Sequence, residues 1–107
     1  MKNNYNINID PIEPEIGMGA TTGVGSDCYP YTIVGMNDKK TKIIVQKDLV
    51  EKAEGYDYYS NQVYIYIPDP NASKRTFTLR HNGYWVEMNG YQHLSVGVRR
   101  AYQDPSF

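Results

Sequence analysis

Residues 75–88 read Arg75-Thr-Phe-Thr-Leu-Arg-His-Asn-Gly-Tyr-Trp-Val-Glu-Met88. Two runs rich in aromatic, β-branched and aliphatic residues, 75–81 and 84–88, flank Asn82-Gly83. Asn-Gly is the strongest two-residue hairpin signal, because a type I′ turn needs positive φ at both central positions. A turn of that kind sets a register: His81 faces Tyr84, Arg80 faces Trp85, Leu79 faces Val86, Thr78 faces Glu87 and Phe77 faces Met88. Side chains alternate along a strand, so Phe77, Leu79, Val86 and Met88 are expected on the core face. Arg80, Trp85, Thr78 and Glu87 are then expected on the outer face.

Other segments carry the same signals. Residues 31–36 and 41–47 are β-rich runs around the polar turn Asn37-Asp38-Lys39-Lys40, which predicts a second hairpin. Residues 63–67, Val-Tyr-Ile-Tyr-Ile, alternate at period two. Val63, Ile65 and Ile67 are expected toward the core, and Tyr64 and Tyr66 away from it. Pro68 ends that strand, since proline has no N–H for a ladder. Asn89-Gly90 signals another turn before a last strand over 93–98, with Leu94, Val96 and Val98 on one face. A single short helix is predicted over 48–55, capped by Asp48 and ended by Gly55. Residues 1–15 read as an N-terminal arm, with Tyr5, Ile7 and Ile9 patterned for an added strand, and 16–107 as a single domain. Five to seven short strands with tight connections predict an all-β fold. A small antiparallel barrel or a β-roll fits, with an SH3-like barrel as the first expectation.

Length and composition bound the function. A chain of 107 residues fits one domain with one core. Eleven of its fourteen aromatic residues are Tyr, which buries a ring while keeping a hydroxyl in water. The formal net charge of −1 argues against a general nucleic-acid binder, whose affinity rests on neutralising phosphates. The one cysteine, Cys28, excludes an internal disulfide. The polar start lacks the apolar core of a signal peptide, and no stretch reaches the length of a membrane span. A non-secreted protein in a cytoplasm is therefore expected, with no membrane partner.

Candidate chemistry is sparse. The glycine-rich stretch Gly17 to Gly25 lacks the lysine and following helix of a phosphate loop, and reads as a bent strand where chains approach closely. Asp27 beside Cys28 disfavours a thiolate, and no spacing links His81 or His93 to that thiol. No close pair of metal ligands is present. The sequence thus predicts no catalytic residue, no metal site, no cofactor and no enzymatic activity. The residues expected to bind are Tyr64, Tyr66 and Trp85 as flat faces, with Arg75, Arg80, Arg99 and Arg100 beside them. Tyr, Trp and Arg carry much of the energy at protein interfaces, and the same residue types stack bases and hold phosphates. Aromatic and Arg–Trp contacts of this kind also stabilise sheets without any ligand.

Three blocks carry a resemblance. They are Gly17-Met-Gly-Ala-Thr21 with Ser26-Asp27 and Pro30-Tyr-Thr-Ile-Val34, then the stretch from Arg75 to Trp85, then Gly97-Val-Arg-Arg-Ala-Tyr-Gln-Asp-Pro-Ser-Phe107. Together they resemble a group of small bacteriophage-encoded proteins of no settled function, over about residues 16–107. The chain departs from that group at Cys28, where a basic residue is expected. The resemblance implies a phage or prophage origin and supplies no catalytic residues. It implies an accessory protein that binds another protein in the host cytoplasm, such as a host or defence component. A nucleic-acid or nucleotide binder is the second expectation. A virion component, self-associating as a homo-oligomer through a strand edge, is the third.

Overall fold

The computed structural model describes residues 12–105, and the patterned positions Tyr5, Ile7 and Ile9 lie outside them. Eight strands follow in order: β1 (Gly19–Val24), β2 (Asp27–Met36), β3 (Lys42–Lys47), β4 (Leu49–Lys52), β5 (Tyr64–Ile67), β6 (Lys74–Leu79), β7 (Trp85–Glu87) and β8 (His93–Val96). Six of them close an antiparallel barrel in the order β1-β2-β3-β6-β7-β8, with β8 returning to β1. Strands β4 and β5 form a separate two-stranded ribbon. The fold is the small all-β barrel expected from the sequence. Where a short helix was expected over 48–55, the chain instead forms β4, and no helix occurs among the described residues. Asp48 decides this: its N–H donates to the Pro30 carbonyl at 2.9 Å, which holds it in the β2–β3 ladder rather than at a helix cap.

The hairpin over 27–47 forms as predicted, with a register shift between Ile33 and Gly35 that bends β2. One face of each barrel strand fills the interior. Ala20, Tyr31, Ile33, Ile43, Val45, Phe77, Trp85, Leu94 and Val96 form the core. The glycine-rich segment supplies β1, paired with β2 in an unbroken register from Gly19 to Val24. A side chain at Gly19 would place its Cβ 2.7 Å from the Arg99 Cβ, so glycine is required by that close approach.

The decisive hairpin differs from expectation by one residue. Leu79 pairs with Trp85, Thr78 with Val86 and Phe77 with Glu87. The loop holds three residues, not two: the Arg80 N–H donates to the Tyr84 carbonyl, and the Gly83 N–H donates back to the Arg80 carbonyl. Gly83 alone takes positive φ (+92°), as in a type I turn followed by a left-handed residue. The slip turns Trp85 into the core, where it is 7% exposed, and Val86 outward. Indole burial explains the preference, since a large aromatic ring hides more apolar area than valine. Leu79 remains on the inward face but sits at the barrel end, 39% exposed.

At the opposite end the interior closes on an ion pair. Arg75 donates from Nε and Nη2 to the two carboxylate oxygens of Glu87 at 2.8 and 2.6 Å, and from Nη1 to the Tyr31 hydroxyl at 2.6 Å. The Arg75 hydrogen bonds hold the Glu87 carboxyl below its usual range, against the opposing effect of burial. A carboxyl depressed in the folded state stabilises above its unfolded pKa and loses that contribution as pH falls through the native value. Glu87→Gln is therefore expected to cost about 2 kcal/mol at neutral pH. That deficit should shrink below about pH 4. Thermal unfolding of both proteins across pH checks this; a deficit independent of pH would count against the pair.

Candidate functional site

The residues expected to bind fall into two groups at different places, and most are already engaged. Trp85 faces the core rather than solvent. Arg80 keeps an aromatic partner, but by register it is Tyr84 and not Trp85, and its Nε donates to the Thr78 hydroxyl at 3.1 Å. Arg75 is committed to Glu87 and Tyr31 and is not free to hold a phosphate.

The second group gathers around the ribbon and the C-terminal segment. The Tyr66 hydroxyl accepts the Ala101 N–H at 3.1 Å, and the Tyr64 hydroxyl donates to the Gln62 side-chain carbonyl at 2.9 Å. Burial, together with hydrogen bonding to Tyr56, pushes the Tyr64 phenol up to about 12. Both rings are half-buried, while Ile65 between them is 52% exposed. Ile65 thus stands outside against expectation, while Val63 and Ile67 are half-buried like the two tyrosines. The ribbon does not line the barrel, so its rings turn toward the C-terminal segment, where their hydroxyls find partners, and Ile65 is left outside. Arg99 pairs with the fully buried Asp48 carboxylate at 3.0 Å and donates to the Thr32 hydroxyl at 2.9 Å. Only Arg100 of this group is exposed, its guanidinium 5.5 Å from the Tyr102 ring centroid.

A cleft of about 820 Å³ opens at the barrel end that carries the β2–β3 and β6–β7 turns. Its floor is Trp85, Leu79, Leu94 and Val96, and Ile12 and Pro14 form one wall. Glu13, Asp38, Lys39 and Lys40 make a charged rim. A Glu13–Lys40 ion pair spans that rim, holding the Glu13 carboxyl below and the Lys40 ammonium above their usual ranges by hydrogen bonding. Both groups are exposed, so the pair orients the wall more than it stabilises the fold. Apolar floor, polar rim and this volume are the features of sites that accept a ligand side chain.

On the outer side of β7 and β8 stand Tyr84, 58% exposed, and His93, with ring centroids 5.3 Å apart. The exposed ring of β7's entry is thus Tyr84, and Trp85, expected on the outer face, is in the core. The cleft itself was missed. Leu79 carried a usable signal, an aliphatic side chain placed inward yet next to the turn, where the barrel has no further layer to cover it.

Among the described residues no group of His, Cys, Asp and Glu is placed to hold a metal ion, and no helix is long and apolar enough to cross a membrane. Comparison with known protein families, curated proteins and solved structures finds no match to this chain.

Proposed function

We propose that this domain is a non-catalytic binding module: an accessory protein of phage origin that works in the host cytoplasm by capturing another protein. The observation that supports this most is the open cleft over Trp85, with its aliphatic floor and charged rim. Its occupant is an apolar side chain on an extended segment of the partner. Arg80 and Tyr84 on the outer face of the β6–β7 hairpin, of residue types that carry interface energy, extend the contact together with His93 of the adjoining β8.

The test uses a displayed peptide library selected against the immobilised domain. Selected peptides are titrated while the emission of Trp85, the only tryptophan, is followed. Leu79→Asp in the cleft floor should weaken their binding about tenfold or more, by removing burial of an aliphatic group and placing a charge there. Ile65→Asp on the ribbon should leave binding unchanged. Binders that leave Trp85 emission unmoved, or that tolerate Leu79→Asp, would sink the proposal. Sedimentation of the free protein separates capture of a foreign partner from self-association.

A further inference from the structure

A second, smaller pocket of about 300 Å³ lies at the other end of the barrel, between the start of β2, the β3–β4 link and the C-terminal segment. Tyr29, Tyr64 and Tyr102 provide aromatic walls, and Asp27, Lys47 and Gln103 provide polar groups. The charges here are unequally engaged. Asp48, also in the wall, is neutralised by Arg99 at 3.0 Å. The Lys47 ammonium has no carboxylate partner among the described residues and stands 4.6 Å from the Tyr29 ring centroid. Arg100 likewise has no carboxylate partner among the described residues and stands beside the Tyr102 ring. Asp27 accepts the Asp104 N–H through Oδ1 at 2.7 Å, but its Oδ2 holds only a long 3.4 Å bond from the Tyr29 hydroxyl. The Gln103 side-chain amide makes no hydrogen bond among the described residues, since only its backbone is engaged.

Aromatic walls, an unpaired cation and an under-used carboxylate acceptor define a ligand with a flat ring, an anionic group and an N–H donor edge. We propose that this pocket binds a mononucleotide. The base lies against the tyrosine walls and donates to Asp27, and the phosphate sits at Lys47 with Arg100 at the mouth. Base stacking on aromatic side chains tolerates any base, whereas a carboxylate favours one with adjacent N–H donors, which guanine has and uracil lacks. The volume lies at the lower end of small-molecule sites. It accommodates one nucleotide rather than a strand, in keeping with a net charge of −1. This site is separate from the Trp85 cleft and does not depend on the function proposed for it.

The test is an NMR titration of the labelled full chain with GMP, AMP, CMP and UMP, and with guanosine and inorganic phosphate alone. GMP should shift amides of residues 27–29, 47–50 and 101–103 saturably, and those of 79, 85 and 94–96 hardly at all. UMP and guanosine should each bind about tenfold more weakly, as loss of one charge-assisted contact implies. Lys47→Ala, at an exposed side chain, should weaken GMP about tenfold and leave guanosine unaffected. Unchanged Trp85 emission in that variant reports an intact fold. No saturable shift with any nucleotide in the millimolar range would overturn the proposal. So would equal shifts from phosphate alone, or indifference to Lys47→Ala. None of these results bears on the Trp85 cleft, whose failure would be read from the peptide titration.

Discussion

Trp85→Ala is expected to destabilise the domain by about 3–5 kcal/mol, because it removes a buried aromatic ring from a core with no replacement. For a domain of this size that corresponds to a fall in Tm of more than about 10 °C. The neighbouring substitution Tyr84→Ala removes an exposed ring and its contact with His93, and should cost about 1 kcal/mol or less. The two substitutions therefore report the hairpin register. In a two-residue turn their environments would be exchanged, with Trp85 outside and replaceable at little cost to stability. Urea or thermal unfolding of both variants decides the matter. A Trp85→Ala protein as stable as the parent would mean that the indole is not in the core, and the cleft it floors would lose its shape.

The second large effect concerns Arg99. The Asp48 side chain is completely buried, and its two oxygens face Arg99 and the Thr32 hydroxyl. The contact with Arg99 is an ion pair without an aligned hydrogen bond, since neither Asp48 Oδ2 nor Arg99 Nε has a hydrogen-bond partner. Its strength comes from charge neutralisation in a place water does not reach. Arg99→Met keeps the aliphatic stem but strands the carboxylate, and should cost about 3–5 kcal/mol. Asp48→Asn should cost less, because Arg99 retains 29% of its side-chain exposure and reaches solvent. Denaturant midpoints of the two single variants test that order. If Arg99 were instead a free binding residue, as the sequence led us to expect, Arg99→Met would leave stability within about 0.5 kcal/mol. That result would remove the neutralised Asp48 on which the proposed nucleotide pocket relies.

Most of the fold was legible along the chain. The runs read as strands at 75–81, 84–88 and 93–98 and the polar turns at 37–40 and 89–90 place strands that exist in the structure, the first and last of them ending two residues earlier, at Leu79 and Val96. These signals are local: side-chain period two and turn chemistry act over a few residues, whatever the rest of the molecule does. The candidate sites were less legible. Tyr64 lines the smaller pocket and Arg100 stands beside its Tyr102, but Tyr29, Lys47 and Tyr102 join it from strands and a tail far apart in sequence.

The amino-acid order alone settled that this chain would be built of short antiparallel strands, and where most of them would turn. Tertiary packing settled which face of each strand looks inward. Asn82-Gly83 is compatible with both a two-residue and a three-residue loop, and the two differ by one step, which reverses every side chain beyond the turn. Closure of the barrel chose the loop that buries the indole. The same logic left Ile65 in water and drew Asp48 out of a helix cap, since a ribbon beside a closed barrel buries whichever side meets the rest of the chain.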